Sequence, residues 1–115
     1  AKTYWAKSPY GGKIKSRLGP AVETLATLSE PFDVIFIDAD KINYLQYYRR
    51  ALELIASRGV ILIDNVLWSG DVLKSEGVES STAAIQELNR IIAADRSVNA
   101  VLVTIRDGIF VVRKA

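Results

Sequence analysis

Two segments in the middle of the chain are apolar at four successive positions, and a helical pattern separates them. The letters VIFI fill positions 34–37 and VILI fill positions 60–63, as is typical of strands buried on both faces of a parallel sheet. Between these strands, apolar residues recur at helical spacing, at Tyr44, Tyr48, Leu52 and Ile55. The pattern predicts a β-α-β unit with strands over 32–38 and 60–63 and a helix over 43–56.

The segments before this unit are predicted mainly from their helix-breaking residues. Residues 1–8 have the pattern of the end of a helix, and Pro9 with the glycines that follow interrupts it. The letters KIKSRL at 13–18 alternate between polar and apolar residues, which predicts a half-buried strand. Pro20 suits the first turn of a helix, so a short helix is expected after it.

The segments after this unit predict a loop, a helix and a hairpin. Residues 67–80 are rich in serine, glycine and charge, which is typical of a loop, and the apolar stripe over 81–95 predicts a helix. The pair Asp107-Gly108 lies between two apolar runs and predicts a hairpin that adds one antiparallel strand. Strands alternating with helices indicate one α/β domain over residues 1–115, with a doubly wound, mainly parallel sheet covered on both sides.

Composition limits the chemistry that this domain can perform. The 115 residues include no cysteine and no histidine, which excludes disulfides, thiolate nucleophiles and every catalytic triad with an imidazole base. Any chemistry must therefore use aspartate, glutamate, lysine, tyrosine or a bound ion.

Charge and hydropathy give no reason to expect nucleic acid or a membrane as partner. The net charge is only +2, and we interpret the five basic residues among the first 22 as a solvated face. The longest apolar runs are too short to span a bilayer, and no signal pattern begins the chain. We expect a cytoplasmic protein.

Polar residues follow both of the two-faced apolar strands. The first strand is followed by Asp38, Asp40 and Lys41, and the second by Asp64 and Asn65. A right-handed crossover brings the carboxyl ends of the two strands to the same side of the sheet, where ligands of open α/β sheets bind. The sequence therefore predicts a polar cluster of these five residues.

Three side chains of this cluster carry the oxygen ligands that a hard divalent cation prefers. Asp38, Asp64 and Asn65 suit Mg²⁺, which completes its shell with water or substrate. Each pair taken alone is better explained as a cap of the turn that follows its strand, but their coincidence favours a metal. Beside such an ion the ammonium form of Lys41 would be disfavoured, which would make a general base; the alternative is a solvated lysine.

Aromatic residues near the cluster have two interpretations. Trp68 follows Asp64 and Asn65, where it could cover a flat aromatic substrate or simply anchor its loop, and the sequence leaves both open. Three tyrosines at helical spacing are interpreted as packing residues, namely Tyr44, Tyr47 and Tyr48.

Four segments resemble one known family. RLGPA (17–21), FDVIFIDADKINY (32–44), GVILIDNVLWSG (59–70) and DGIFVVRK (107–114) are similar to the cation-dependent O-methyltransferases of the caffeoyl-CoA group, with catechol O-methyltransferase more distant. The resemblance implies a Rossmann-like methyltransferase fold and methyl transfer from S-adenosylmethionine to a hydroxyl of a catechol-like phenol. By position, it implies the following roles: Asp38, Asp64 and Asn65 as Mg²⁺ ligands, Lys41 as base, Ala21, Asp38 and Asp40 at the cofactor, and Trp68 at the substrate.

The same resemblance implies that part of the domain lies outside this chain. The glycine-rich cofactor loop and the strand that carries the ribose-binding acid would precede Ala1, so we expect the C-terminal half of a methyltransferase domain, homodimeric when complete. The strand over 32–37 would then present a bare apolar edge. On its own, this half is expected to self-associate or to depend on further polypeptide, and not to bind S-adenosylmethionine.

Two other kinds of protein share part of the motif. A haloacid-dehalogenase-like phosphohydrolase also has an Asp-x-Asp pair after an apolar strand, but it has Thr or Val soon after the pair, where this chain has Lys41. A receiver-like domain, which is not an enzyme, phosphorylates an aspartate at a strand end. It has an acidic pair near its N-terminus, where this chain has only basic residues.

Overall fold

A computed structural model describes all residues from 1 to 115. The strands are β1 (Phe32–Ile37), β2 (Ile55–Asp64), β3 (Val98–Val103) and β4 (Ile109–Lys114). The α-helices are α1 (Lys2–Trp5), α2 (Ala21–Ala26), α3 (Tyr44–Leu54) and α4 (Ser80–Ala94). Three 3₁₀ segments complete the chain: Gly11–Lys13, Lys41–Asn43 and Trp68–Leu73.

The four strands form one sheet in the order β1-β2-β4-β3. β1 runs parallel to β2, and β4 runs antiparallel to both of its neighbours, so that three strands share one direction. This arrangement confirms the predicted α/β class with parallel strands and a C-terminal antiparallel hairpin. The crossover through α3 places the carboxyl ends of β1 and β2 side by side.

Strand β2 is longer than the predicted 60–63 because it begins directly at the end of α3. Its pairing with β1 skips between Phe32 and Val34, which match Ile55 and Val60. Gly59 makes this irregularity possible, because a Cβ there would lie 2.9 Å from the carbonyl oxygen of Asp33 and closer still to the Ile55 side chain. The regular part of β2 then runs to Asp64 in step with β1.

One face of the sheet is covered by helices. α3 packs on β1 and β2, and α4 packs on β3, with an apolar core that includes fully buried Ile61, Ile63, Leu88 and Val112. The opposite face is open in this chain, because Val34, Phe36 and Val101 remain 57%, 57% and 62% exposed. α3 and α4 therefore supply one of the two helical layers of a doubly wound sheet.

The predicted strand over 13–18 is wrong. Residues 14–18 form no regular structure, and Leu18 at their end is 91% exposed. Alternating residues become a strand only where a neighbouring strand completes their backbone hydrogen bonds, and the free edge of β1 has no such partner here. The predicted break near Pro9 and the short helix after Pro20 are confirmed.

No helix in the structure combines the length and the apolar character needed to cross a membrane.

Candidate functional site

The candidate site lies where β1 and β2 end. Ile37 of β1 is the register partner of Ile63 of β2, so the next residues, Asp38 and Asp64, leave the sheet as neighbours. Asn65 follows with a left-handed backbone, at φ 60°. The parallel register therefore brings together the two polar strand ends, as the sequence predicted.

Lys41 joins these strand ends. It begins the 3₁₀ turn before α3, and its side chain is only 10% exposed. Its Nζ donates to Oδ1 of Asp38 at 3.2 Å and to Oδ1 of Asn65 at 2.9 Å. One cationic group thus draws together side-chain oxygens from both strand ends.

Tyr44 contacts the same ammonium group through its hydroxyl. Its hydroxyl accepts a hydrogen bond from Lys41 Nζ and donates one to the backbone carbonyl of Asp64 at 3.2 Å. The side chain is fully buried, and this burial raises the pKa of the Tyr44 hydroxyl. Sequence reasoning assigned Tyr44 to packing and missed its polar contacts; the i, i+3 spacing from Lys41 was the available clue.

The carboxylate of Asp64 faces its own loop. Its Oδ1 accepts the backbone N–H of Asn65 at 2.7 Å, and the side chain is half-buried. This contact uses one carboxylate oxygen and leaves the other free to bind. The turn of the backbone at Asn65 also directs the amide oxygen of that residue toward Lys41.

Asp40 belongs to a separate hydrogen-bond network. It accepts hydrogen bonds at 2.5 Å from the Tyr47 hydroxyl and from Nδ2 of Asn43. The Tyr47 hydrogen bond holds the pKa of Asp40 below its ordinary value of 3.8. Burial, and then the hydrogen bond to Asp40, raise the pKa of Tyr47 to about 12. The structure therefore connects four members of the predicted cluster and leaves Asp40 to one side.

Trp68 lies beside Lys41 on the loop that follows Asn65. Its ring centroid is 5.6 Å from Lys41 Nζ, and the residue is half-buried with φ 47°. A cation over an aromatic face is attracted to it. The position brings an indole ring next to the polar cluster, and it also gives this ring an anchoring contact.

A cavity of about 390 Å³ opens between α2 and β1. Its walls are mainly apolar, and they include both Ala21 and Asp38 but not Asp40. Tyr47, the hydrogen-bond partner of Asp40, also lines it, whereas Asp40 itself is exposed. The cavity therefore adjoins the polar cluster at Asp38.

The donor set fits a hard divalent cation. Two of its three oxygen donors already converge on one positive charge, the ammonium of Lys41, at 3.2 and 2.9 Å. The set contains only two carboxylates, and no group of three or more acidic, histidine or cysteine residues gathers anywhere in the chain. Two carboxylates, an amide oxygen and added water or substrate are a common shell for Mg²⁺.

Comparisons with known proteins point to one family. The family described as O-methyltransferase matches residues 1–115. A relative named probable caffeoyl-CoA O-methyltransferase 1, from Dictyostelium discoideum, is 41% identical over 120 residues, which cover 99% of this chain and 52% of that protein. The chain thus spans about half the length of the curated relatives it matches.

Solved structures show the same fold. The Bacillus cereus O-methyltransferase in complex with SAH has a TM-score of 0.76 and 32% identity, over 86% of this chain and 49% of that one. Cofactor-bound Rv0187 from MTB has a TM-score of 0.88 and 27% identity, over 98% of this chain and 54% of that one. By its fold and by the match along its whole length, the chain belongs to the O-methyltransferase family.

Proposed function

We propose that this chain carries the metal-binding and base half of an S-adenosylmethionine-dependent O-methyltransferase that acts on a hydroxyl of a catechol-like phenol. The observation that carries the proposal is the convergence of Asp38 and Asn65 on Lys41, next to Asp64. Family membership supports methyl transfer, and relatives named for caffeoyl-CoA support a phenolic acceptor.

Asp38, Asp64 and Asn65 would hold the divalent ion, for which we favour Mg²⁺. Such an ion, when bound, supplies a Lewis acid that makes a coordinated hydroxyl more acidic. The chain's contribution is to fix oxygen donors at two adjacent strand ends, which orients a substrate with vicinal oxygens.

Lys41 is the proposed general base. Its ammonium donates its three N–H groups to Asp38, Tyr44 and Asn65. Lys41 must therefore lose a proton before Nζ can accept one from a phenolic hydroxyl. Tyr44 keeps Nζ at the strand ends during this exchange, because its own hydroxyl is tied to the backbone of Asp64.

Trp68 would cover the aromatic ring of the acceptor. The indole lies on the loop that also carries Asn65, close to Lys41 Nζ. A flat apolar surface here would exclude water from the reacting hydroxyl and hold the ring in one orientation.

The cofactor side of the proposed site is the cavity between α2 and β1. Ala21 and Asp38 line it, and Asp40 accepts a hydrogen bond from Tyr47 in its wall. S-adenosylmethionine supplies the methyl group. Asp38 belongs to both the cavity wall and the polar cluster, which supports a cofactor on one side of this residue and an acceptor on the other.

The family match does not support the two alternative functions that the sequence suggested, a phosphohydrolase and a receiver domain. Phosphohydrolases of the haloacid-dehalogenase type and receiver domains belong to other families, whereas all 115 residues match the O-methyltransferases.

Methyl transfer by the protein expressed from its full reading frame tests the proposal. The assay combines S-adenosylmethionine, Mg²⁺ and a panel of catechols, and mass spectrometry detects a gain of one methyl group. Chelation by EDTA and the substitution Asp64→Ala should each abolish the product. Methylation that survives both treatments would refute a metal site at these residues.

A further inference from the structure

The loop after β2 is held on both sides of Asn65 by side chains from two different helices. On one side, the Tyr44 hydroxyl of α3 donates to the backbone carbonyl of Asp64 at 3.2 Å. On the other side, Nδ2 of Asn89 in α4 donates to the backbone carbonyl of Val66 at 2.8 Å. The backbone carbonyls just before and just after Asn65 are therefore both bound to helices outside the loop.

Val66 is the fixed point of this loop. Its side chain is fully buried in the apolar core. Its backbone N–H donates to the carbonyl of Gly108 at 3.2 Å, and its own carbonyl accepts the hydrogen bond from Asn89. Three contacts thus hold one residue, which leaves its neighbour Asn65 little freedom to move.

Asn65 needs this support because of its backbone conformation. Its φ of 60° lies in the left-handed region, which residues other than glycine keep only where surrounding contacts impose it. In this conformation its amide oxygen accepts the hydrogen bond from Lys41 Nζ at 2.9 Å. The contacts that impose the conformation therefore also determine where the amide oxygen points.

Asn89 is poorly suited to its position if stability alone is considered. It lies on α4 one turn from the buried residues Ile85 and Ile92. Its Oδ1 is buried and has no hydrogen-bond partner in the protein. A buried polar atom without a partner costs free energy, so an apolar side chain of similar size would suit this core at least as well. The specific contribution of Asn89 is the contact of its Nδ2 with the backbone of Val66.

α4 also holds the far end of the same loop, through a second amide. Gln86 lies one turn before Asn89, and its Nε2 donates to the backbone carbonyls of Val72 and Lys74 at 3.0 and 2.8 Å. The two amides therefore divide the loop between them. Asn89 holds the end next to Asn65, and Gln86 holds the end that leads to α4.

We propose that Asn89 is a positioning residue for the strand end that carries Asn65. Through Val66 it fixes the left-handed backbone of Asn65, and so it sets where the amide oxygen stands relative to Asp38 and Asp64. The inference rests on the proposed function in one respect, namely that Asn65 is a metal ligand. Side chains that orient metal ligands without touching the metal commonly contribute about 10–100-fold to metal affinity.

Titration with Mn²⁺ of the protein expressed from its full reading frame tests the effect on the metal site, with free Mn²⁺ followed by electron paramagnetic resonance. Asn89→Leu removes the donor, keeps much of the side-chain volume, and should weaken Mn²⁺ binding about tenfold. Asn89→Gln keeps an amide donor and should recover part of the loss. The matched control is Gln86→Leu, which removes the amide at the far end of the loop and should leave the Mn²⁺ affinity unchanged.

A double variant separates positioning of Asn65 from a general loss of structure. Asn65→Gly removes the ligand side chain and still permits the left-handed backbone. If Asn89 acts through Asn65, Asn89→Leu should cause no further loss of Mn²⁺ affinity in the Asn65→Gly background. The same loss in both backgrounds, or no loss in Asn89→Leu alone, would overturn the inference.

Amide hydrogen exchange tests the positioning without a metal. The Val66 N–H should exchange about fivefold faster in Asn89→Leu than in Gln86→Leu, the effect of one hydrogen bond lost at this end of the loop. Equal exchange of Val66 in the two variants would refute positioning by Asn89. If the wild type binds no Mn²⁺, the proposed metal site fails, and this comparison still decides the role of Asn89.

Discussion

Lys41 donates a hydrogen bond to the side-chain oxygen of Asn65 at 2.9 Å, across 24 positions of the chain. The same ammonium reaches Asp38 at 3.2 Å. An internal cation therefore occupies the point on which two of the three proposed metal ligands converge. A divalent ion at this site would have to displace the ammonium, after which the lysine would stand next to the coordinated hydroxyl.

Removal of a proposed ligand should abolish metal binding. Calorimetric titration with Mg²⁺ or Mn²⁺ should show one site in the wild-type protein and none in Asp64→Ala, because the remaining carboxylate and amide cannot hold the ion alone. Asp71→Ala is the matched control, since this carboxylate lies on the neighbouring 3₁₀ segment and pairs with Lys74 at 2.6 Å. Equal affinity in Asp64→Ala and wild type would rule out the shared site.

Loss of the base should slow the chemical step. Lys41→Ala is expected to lower kcat by about two to four orders of magnitude, the usual contribution of a positioned acid or base. Lys74→Ala, which removes an exposed lysine, should leave kcat unchanged. If the pH-rate profile of Lys41→Ala matched that of the wild type, Lys41 would have a structural role and would not be the base.

The same lysine should weaken metal binding in the wild type. Lys41→Met keeps much of the side-chain volume but removes the charge and frees the oxygens of Asp38 and Asn65. We expect Mn²⁺ to bind about five- to thirtyfold more tightly, since a unit charge about 4 Å from a dication costs on the order of 1–2 kcal/mol even in water. Electron paramagnetic resonance of free Mn²⁺ measures this change without turnover, and weaker binding by Lys41→Met would contradict it.

Stability should depend on pH through Asp40 and Tyr47. The pKa of Asp40 in the folded protein lies below its ordinary value. The contribution of Asp40 to the free energy of unfolding is therefore present above the ordinary pKa and is lost as pH falls through the folded pKa. The pKa of Tyr47 in the folded protein is raised to about 12. The contribution of Tyr47 to the free energy of unfolding is therefore present below its ordinary pKa and is lost as pH rises through about 12.

Tyr47→Phe should therefore lower the free energy of unfolding most between about pH 5 and pH 9, and this deficit should shrink below about pH 4. Chemical denaturation at a series of pH values measures the deficit. Tyr4→Phe serves as control, because Tyr4 is 77% exposed. A deficit that stays constant from neutral pH down to about pH 2 would show that Asp40 takes no part.

Local patterns predicted the parts of the fold that their own residues determine. The apolar run of β2 and the stripe of α3 were recognised because each buries its own side chains, whereas β1 was recognised from its apolar run although only Ile37 in it is buried. The strand over 13–18 was predicted wrongly because its existence depends on a neighbouring strand that no local pattern describes. The early start of β2 at Ile55 was missed for a related reason, since the irregular pairing around Gly59 depends on close contact with Asp33.

The candidate site was predicted as a set of residues but not as a network. Strand ends and crossover handedness were enough to bring Asp38, Asp64 and Asn65 together. The hydrogen bonds of Tyr44 and Tyr47 depend on which side of α3 faces the strand ends. Helical spacing shows only that the two tyrosines share a buried face.

The last prediction concerns the free edge of β1 in the 115-residue chain on its own. β1 pairs only with β2, so one row of its backbone N–H and C=O groups has no strand partner. Val34 and Phe36 on this strand are each 57% exposed. An apolar edge of this kind is a template for pairing with another chain, and we expect the isolated chain to self-associate through it.

Phe36→Lys places a charge on that edge and should shift the sedimentation profile toward the 12.7 kDa monomer. Leu73→Lys is the matched control, because Leu73 is 88% exposed but lies outside the sheet. The same samples should show no measurable S-adenosylmethionine binding, since the walls of the cavity beside β1 are mainly apolar and offer few groups to the ribose and methionine parts. A wild-type monomer that binds the cofactor would contradict both expectations, and it would mean that the open edge is already satisfied within these 115 residues.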